Sequence, residues 1–183
     1  MTEARVAATS LPTPGLARRL ACFVYEGVLL FGVLMAAGLV YGVATDQRHA
    51  LAGATGLRVF LFFVLGAYFI GFWWRYGQTL AMRTWHIRLV HSTDANGLRP
   101  PGWGRAAARY LLAWLWFVPA LLALHFSGLT GASAAFAILT VGVLTYALLA
   151  RLHPQRQFLH DALCGTRLVT WRPPAKRPAA VTP

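Results

Sequence analysis

The sequence from Tyr110 to Ala150 reads YLLAWLWFVPALLALHFSGLTGASAAFAILTVGVLTYALLA and contains no Asp, Glu, Lys or Arg. A helix needs about 20 apolar residues to cross about 30 Å of hydrocarbon, so these 41 residues are long enough for two crossings. Small and polar residues interrupt the run near its middle, at His125, Ser127, Gly128 and Gly131. The stretch therefore predicts a helical hairpin, with helices over residues 110–126 and 130–150.

Two earlier stretches have the same character. Leu20 to Ala44 contains one ionisable acid, Glu26, in 25 residues. Val59 to Trp74 contains no charged residue, and the arginines directly at its two ends can extend towards the interface and lengthen the span. These stretches predict helices over residues 20–44 and 57–75. The expected fold class is therefore an all-α membrane protein, a bundle of four transmembrane helices.

The composition of the 183-residue chain favours the same class. It is 57% hydrophobic and 12% charged, whereas a soluble domain carries about a quarter of its residues as charges. These values exclude a soluble enzyme core, a disordered chain and a disulfide scaffold. The net charge of +12 is also typical of nucleic-acid binders, but here the arginines fall between the long apolar runs instead of along one face. We therefore expect the lipid bilayer as a partner, and no nucleic acid.

The basic residues are divided unequally between the two sides of this bundle. With four crossings, both termini share a side with the connection over residues 75–109. That side holds 15 of the 17 lysines and arginines, and only Arg48 and Arg58 lie on the other. Because cytoplasmic loops carry the excess of basic residues, we expect both termini in the cytoplasm.

The two ends of the chain have the composition of disordered tails. Residues 1–17 are polar and punctuated by proline, and residues 172–183 are rich in proline and contain basic residues. Such segments lack the apolar side chains that a folded core needs. We therefore expect a transmembrane domain over residues 18–171 and a basic C-terminal tail that contacts anionic lipid at the cytoplasmic face.

Glycine and cysteine positions add two further expectations. Gly38 and Gly42 are four residues apart in the first helix, a spacing that lets two helices pack closely, so a homo-oligomer is an alternative to a monomer. Cys22 and Cys164 both lie near the reducing cytoplasmic side, where disulfides are rare. We therefore expect no disulfide between them.

The segments outside the spans have a pattern of their own. Residues 77–83 suit a short interfacial helix, and apolar and polar residues then alternate from Trp85 onwards, which is typical of a strand. Asp94 to Gly97 supplies turn residues. A similar order follows the fourth helix, with a short helix near residues 158–163 and a strand over residues 166–171. Both stretches contain Arg-Leu-Val, and we predict two short strands beneath the bundle, paired with one another.

Glu26 is the acid that lies inside a predicted span. An acid in a transmembrane helix costs a few kcal/mol to insert and usually faces a bundle interior or a cavity. Arg19 precedes it by seven residues, which is two turns back on the same helix face. The guanidinium could therefore meet Glu26 directly or through water. The arrangement is compatible with ion or proton coordination and with a structural pair that fixes the first helix against its neighbours.

Asp161 is the second acid of interest and lies on the polar side of the short helix after the fourth span. It is either a second acid near the mouth of an Arg19–Glu26 site or an anchor that contacts Arg156 or a neighbouring loop arginine. Arg105 and Arg109 lie where the third helix is predicted to begin, and arginine is common there as an interfacial anchor.

The histidines and cysteines do not show the spacing of a metal site. His86 and His91 are five residues apart on a predicted strand, so their side chains fall on opposite faces. The zinc spacings His-x-x-x-His and Cys-x-x-Cys do not occur. The chain also has no glycine-rich phosphate loop and no nucleophile elbow. We therefore expect no metal, no cofactor and no enzymatic activity.

Three motifs, in their order relative to the spans, resemble the RDD family of bacterial membrane proteins, which is named for an arginine and two aspartates. The family's arginine matches Arg19, and its first aspartate position holds Glu26. Gly77 to Val90 looks like the second motif, and Leu159 to Arg167 looks like the third, with Asp161 as the second aspartate. The resemblance covers residues 14–171.

The resemblance implies a multi-pass protein of the inner (plasma) membrane of a bacterium. Sodium/proton antiport has been proposed for some members of the family. Such a carrier would use Glu26 and Asp161 as exchangeable carboxylates and would take a small cation as substrate. The glutamate in place of aspartate at position 26 lengthens the arm by about one bond. The alternative function is a non-transporting scaffold that binds a protein partner or anionic lipid through its basic cytoplasmic face.

Overall fold

The computed structural model describes residues 11–46, 54–93, 98–128, 131–152, 154 and 156–173. Most of the two predicted tails and the predicted turn at Asp94–Gly97 lie outside these residues. The described part consists of helices and one pair of strands in this order: α1 (Leu16–Ala44), α2 (Ala54–Tyr76), α3 (Leu80–Thr84), β1 (Ile87–His91), α4 (Trp103–Ala113), a 3-10 helix (Trp114–Trp116), α5 (Val118–Ser127), α6 (Ala132–Leu149), α7 (Leu159–Leu163) and β2 (Thr166–Thr170).

Four helical segments in the described part are long and apolar enough to cross a membrane: Leu16–Ala44, Ala54–Tyr76, Trp103–Ser127 and Ala132–Leu149. Large apolar side chains along these segments, such as Phe31, Leu39 and Val43, are exposed. Burial of such side chains drives the folding of a protein in water, so their exposure here fits a chain surrounded by lipid. The fold is mostly helical, with four long apolar helices and one small sheet.

The third span differs most from its predicted bounds. It begins at Trp103 instead of residue 110, because the helix also carries Arg105 and Arg109, which ended the uncharged run in the sequence. The 3-10 helix then separates α4 from α5, and Pro119 lies in the first turn of α5. Proline has no N–H to donate and is tolerated in a first helical turn. The span is therefore two helices in series.

The two predicted strands are present and are paired. They run antiparallel, with Ile87 opposite Thr170, Leu89 opposite Leu168 and His91 opposite Thr166. Leu89 and Val90 of β1 and Val169 of β2 are fully buried. Together with α3 and α7, the strands form a layer at the end of the bundle where α1 and α4 begin, called the end layer below. This confirms the predicted pairing beneath the bundle.

The end layer is made of two modules with the same plan. Each consists of a glutamine, a five-residue helix and a five-residue strand, and the two glutamines are Gln78 and Gln157. The Gln78 amide donates to the Ile87 carbonyl at 2.7 Å, and the Gln157 amide donates to the Leu168 carbonyl at 3.3 Å. Counted from these glutamines, Leu89 and Leu168 are equivalent, and they face one another across the sheet. The two strands are therefore related by an approximate twofold axis near this leucine pair. The glutamine contacts do not follow this symmetry, because Ile87 is not equivalent to Leu168.

The segments that enter α1 and α4 repeat as well. Each helix follows a Pro-Gly pair, at residues 14–15 and 101–102, and carries an arginine three residues after the glycine. Arg18 Nε donates to the Trp85 carbonyl at 2.8 Å, and Arg105 Nη1 donates to the Cys164 carbonyl at 2.9 Å. These carbonyls lie at equivalent turns. Each is followed by a residue with positive φ, His86 or Gly165, and the strand begins directly after that residue. The same contact thus fixes each module to its own span.

Candidate functional site

A cavity of about 430 Å³ lies between α1, α2, the third span and the end layer. Most of its wall is apolar, including side chains such as Leu30, Leu65 and Phe117. The charged or polar residues at the wall include Arg19, Glu26, Thr79, Arg109 and His160. An apolar cavity of several hundred Å³ with a few convergent polar groups is the usual form of a small-molecule site.

Glu26 is bound by two hydroxyl groups. Its Oε1 accepts a hydrogen bond from the Tyr68 hydroxyl at 2.7 Å, and its Oε2 accepts one from the Thr79 hydroxyl. Thr79 also caps α3, because its side chain accepts from the Met82 N–H. The carboxyl group therefore joins α1 to α2 and α3. Within the described ranges, no arginine, lysine or histidine forms an ion pair with it.

Arg19 lines the same cavity but has other partners. Its Nη1 donates to the Arg156 carbonyl at 2.9 Å, and its guanidinium lies 4.4 Å from the centre of the Phe158 ring. Seven residues along a helix correspond to about 10 Å, which is too far for a direct hydrogen bond from a side chain already turned towards Arg156. The direct Arg19–Glu26 contact is therefore not formed, although both residues face one cavity.

Asp161 is paired with Arg109. Arg109 Nε donates to Asp161 Oδ1 at 2.7 Å, and the Thr166 hydroxyl donates to the same oxygen at 3.3 Å. Asp161 is fully buried. Burial alone would raise the pKa of Asp161, but the Arg109 guanidinium and the hydrogen bonds outweigh it and hold that pKa below its ordinary value. The carboxylate is therefore charged and fixed.

The interfacial role expected for Arg109 is wrong in one respect, since the residue is buried and its guanidinium lies 4.0 Å from the centre of the Trp73 ring. The sequence does contain a pattern that predicts this burial. Arg109 lies seven residues after the Pro-Gly pair that precedes α4, and Cys22 lies seven residues after the pair that precedes α1. Cys22 falls inside the predicted first span. That repeat places Arg109 two turns inside a helix instead of at its start.

His160 completes this buried group and is neutral. Burial lowers its pKa to about 4. Its Nε2 lies 3.6 Å from Asp161 Oδ2, and its Nδ1 lies 2.9 Å from the Tyr146 hydroxyl. A proton on Nε2 is favoured by the nearby carboxylate, so Nδ1 accepts from Tyr146. The hydroxyl also accepts from the His160 backbone N–H at 3.2 Å, which fixes α7 against α6.

The three residues singled out in the sequence therefore belong to two groups. Arg19 and Glu26 line the cavity, and Asp161 lies behind Arg109 and His160. The modules differ at this point: the positions equivalent to Arg109 and Asp161 in the first half of the chain hold Cys22 and Met82.

Both cysteines are free thiols, and the described residues contain no group of three His, Cys, Asp or Glu that could hold a metal ion.

Comparison with known proteins gave one positive result. The family model for the RDD family matches residues 13–165. No curated protein and no solved structure matches the chain. The match covers all four spans and, in the end layer, α3, β1 and α7 but not β2. With the four apolar helices it indicates a membrane protein. The chain belongs to the RDD family.

Proposed function

We propose that this protein is a bacterial inner-membrane carrier that exchanges a small cation, with Na⁺ as the first candidate, for a proton at Glu26. One observation carries the proposal: among the described residues that line the cavity, Glu26 is the one acid, and it has hydroxyl partners instead of a cation. A carboxyl group without a fixed countercharge can take up either a proton or a metal cation.

The groups around Glu26 suit a hard cation. Tyr68, Thr79 and Glu26 bring oxygen atoms of three side chains together, and oxygen is the ligand that hard cations prefer. When the carboxylate binds a cation, the two hydroxyl protons can turn away and leave their oxygens as ligands. When it binds a proton, one of the two hydroxyls turns to accept a hydrogen bond from the protonated oxygen, and the other still donates to the carbonyl oxygen. The same three side chains can thus serve both states.

Asp161 has a different part in the proposal. The family resemblance implied two exchangeable carboxylates, but Arg109 already neutralises Asp161 at 2.7 Å. Releasing that carboxylate would leave a buried guanidinium without a countercharge, which is costly. We assign Asp161 to positioning the end layer, and Glu26 alone to exchange.

The proposed orientation places the end layer in the cytoplasm. Exposed arginines are frequent on that side of the described structure: Arg75, Arg83, Arg151, Arg156 and Arg172. Basic residues next to spans are retained in the cytoplasm. Cations would then reach Glu26 from the cytoplasm past the end layer.

The experiment is a flux assay in proteoliposomes with an imposed Na⁺ gradient and an internal pH dye. Wild-type protein should move protons in response to the gradient. Glu26→Gln should reduce this flux to that of empty vesicles, and the matched control Asp46→Asn, which neutralises an exposed acid at the far end of α1, should keep it. A wild-type protein without flux, or equal flux in Glu26→Gln, would rule the carrier out.

The scaffold is the second candidate, and the exposed arginines named above favour it. It predicts that neutralising Arg172, Lys176 and Arg177 weakens the binding of anionic lipid or of a protein partner. It also predicts that wild-type protein and Glu26→Gln are alike in every flux assay. Intact binding in the triple variant would count against the scaffold.

A further inference from the structure

The cavity is larger and more apolar than a small metal cation requires. Its volume of about 430 Å³ is within the range of sites that hold small organic molecules. The oxygens at Glu26 come from the carboxyl group itself and from the Tyr68 and Thr79 hydroxyls, whereas most of the remaining wall is hydrocarbon. The binding of Na⁺ at Glu26 therefore does not account for the size of the cavity or for its apolar wall.

The apolar space extends past Glu26, on the side away from Arg19. Leu30 and Leu34 continue the wall on α1, and the helical rise places them about 6 and 12 Å beyond Glu26. Gly27 also lines the cavity, and nothing lies within 4 Å of the position that a Cβ would take there. A ligand with bulky apolar groups thus has room beside the carboxyl group and beyond it.

Aromatic rings contribute to the wall of this space. Phe23 precedes Glu26 by three residues, and residues at that spacing are neighbours on a helix surface. The Phe23 ring stacks on the Trp116 ring with the two centres 5.1 Å apart, and Trp114 and Phe117 line the cavity from the same span. Ring faces attract cations, and aromatic walls are used to bind quaternary ammonium ligands.

The charges at the cavity favour a ligand with one positive charge. Among the described residues of its wall, Arg109 is neutralised by Asp161, which leaves Arg19 and Glu26 as charged groups without an ion pair. The Arg19 guanidinium is turned towards the Arg156 carbonyl, and it lies two turns nearer the end layer than Glu26 does. Repulsion by Arg19 therefore places a cation on the far side of Glu26, in the apolar space.

We infer that the cavity binds a lipophilic organic cation, a quaternary ammonium or phosphonium ion, with its charge near Glu26 and its apolar groups against the rings and leucines beyond. A bulky ion loses less hydration energy than Na⁺ when it enters an apolar cavity, because the cost falls as the ionic radius grows. Its attraction to the carboxylate acts over several ångströms in apolar surroundings, so the Tyr68 and Thr79 hydrogen bonds can stay in place. The inference rests on the proposed function in that Glu26 is again the countercharge, and the organic cation competes there with Na⁺ and the proton.

Isothermal titration calorimetry on the purified protein, in neutral detergent and mildly alkaline buffer, tests this inference with tetraphenylphosphonium as the probe. Tetraphenylborate, an anion of the same shape, is the matched ligand in a separate titration, and titrations into detergent alone correct for binding to micelles. Wild-type protein should bind the phosphonium and not the borate. Glu26→Gln should weaken phosphonium binding by about thirtyfold or more, as the loss of a charged partner in an apolar site does. Asp46→Asn should bind as wild type.

Phe23→Leu and Phe31→Leu form a second matched pair on α1. Phe23 lines the cavity, whereas Phe31 is exposed on the outside of the bundle. Phe23→Leu should weaken phosphonium binding about fivefold, the size of one cation–π contact, and Phe31→Leu should leave it unchanged. No phosphonium binding to wild type, equal binding of phosphonium and borate, or undiminished phosphonium binding in Glu26→Gln would overturn the inference.

Na⁺ added to the same samples separates this inference from the proposed function. It should lower the apparent affinity for the phosphonium, because both cations meet Glu26. Phosphonium binding that depends on Glu26 but does not respond to Na⁺ would support the inference and remove Na⁺ as the substrate. A protein that exchanges Na⁺ for protons but does not bind the phosphonium would overturn the inference and leave the Na⁺ carrier standing.

Discussion

Arg109 and Asp161 form an ion pair at 2.7 Å in which the guanidinium is almost fully buried and the carboxylate fully so. The pair connects the third span to α7, at the point where the end layer meets the bundle. In the first half of the chain the equivalent positions hold Cys22 and Met82, a pair without charge. The two modules thus use different chemistry at the same junction.

This relationship predicts a characteristic pattern of stabilities. Asp161→Asn leaves the Arg109 charge buried and uncompensated, and should cost about 3–5 kcal/mol. The double variant Arg109→Cys, Asp161→Met installs the residues of the first module and should recover most of that loss, because the uncompensated charge is gone. Thermal unfolding in detergent measures both. A single variant as stable as wild type would show that the pair does not hold the end layer.

The buried His160 predicts a dependence of stability on pH. Its pKa is about 4 in the folded protein and 6.5 is its ordinary value, so between these values the unfolded chain binds a proton that the folded chain does not. Stability should therefore fall as the pH drops from about 6.5 to 4, by up to about 3 kcal/mol. The lowered pKa of Asp161 acts in the same direction, but only below its ordinary value of 3.8.

Unfolding midpoints between pH 7 and 4.5 test this pH dependence. His160→Asn should flatten the curve, whereas His125→Asn, at an exposed position far from the end layer, should leave it as in wild type. A curve of unchanged slope in His160→Asn would assign the dependence to another group.

The contact between Arg105 and the Cys164 carbonyl predicts a change in thiol reactivity. Burial raises the pKa of Cys164, and the side chain is 6% exposed, so its labelling by a maleimide should be slow. Arg105→Gln loosens the turn that carries Cys164 and should speed its labelling severalfold. Cys22, in α1, is the internal control and should react as before. Equal acceleration at both cysteines would indicate general unfolding instead.

The proposed orientation of the termini can be checked by cysteine labelling as well. In a background without cysteine, a cysteine introduced at Ser92, which is exposed near the end layer, should react with a membrane-impermeant reagent only after the cells are opened. A cysteine at Thr45, at the other end of α1, should react in intact cells. The reverse result would place the termini outside.

Much of this fold can be predicted from the residue pattern, because each helix that crosses the lipid needs a long run of apolar residues. Uncharged runs identify the four spans. A weak alternation identifies the first strand, and the recurrence of Arg-Leu-Val identifies the second, although each strand has only five residues. The start of the third span is missed because Arg109 was taken as the outer limit of the span, whereas it lies inside the helix and is neutralised by an acid 52 residues away. Such a pairing depends on tertiary contacts, which periodicity does not encode.

The candidate site was predictable in part. An acid inside a span points to Glu26 from sequence alone, but its partners Tyr68 and Thr79 come from two other elements and carry no distinguishing spacing. Arg19 and Glu26 share a helix face, as their spacing indicates, and yet each has separate partners because Arg156 and Phe158 lie nearer to Arg19. The spacing within one helix determines which face the two residues share, whereas their hydrogen-bond partners depend on tertiary contacts.

The proposed exchange requires Glu26 to give up its proton when a cation binds. The most direct measurement adds Na⁺ to purified protein in weakly buffered detergent solution and records the released protons with a pH dye. Wild-type protein and Asp46→Asn should release about one proton per chain, because a cation displaces the proton from its ligand, and Glu26→Gln should release none. Release that is absent from wild type, or undiminished in Glu26→Gln, would contradict the claim.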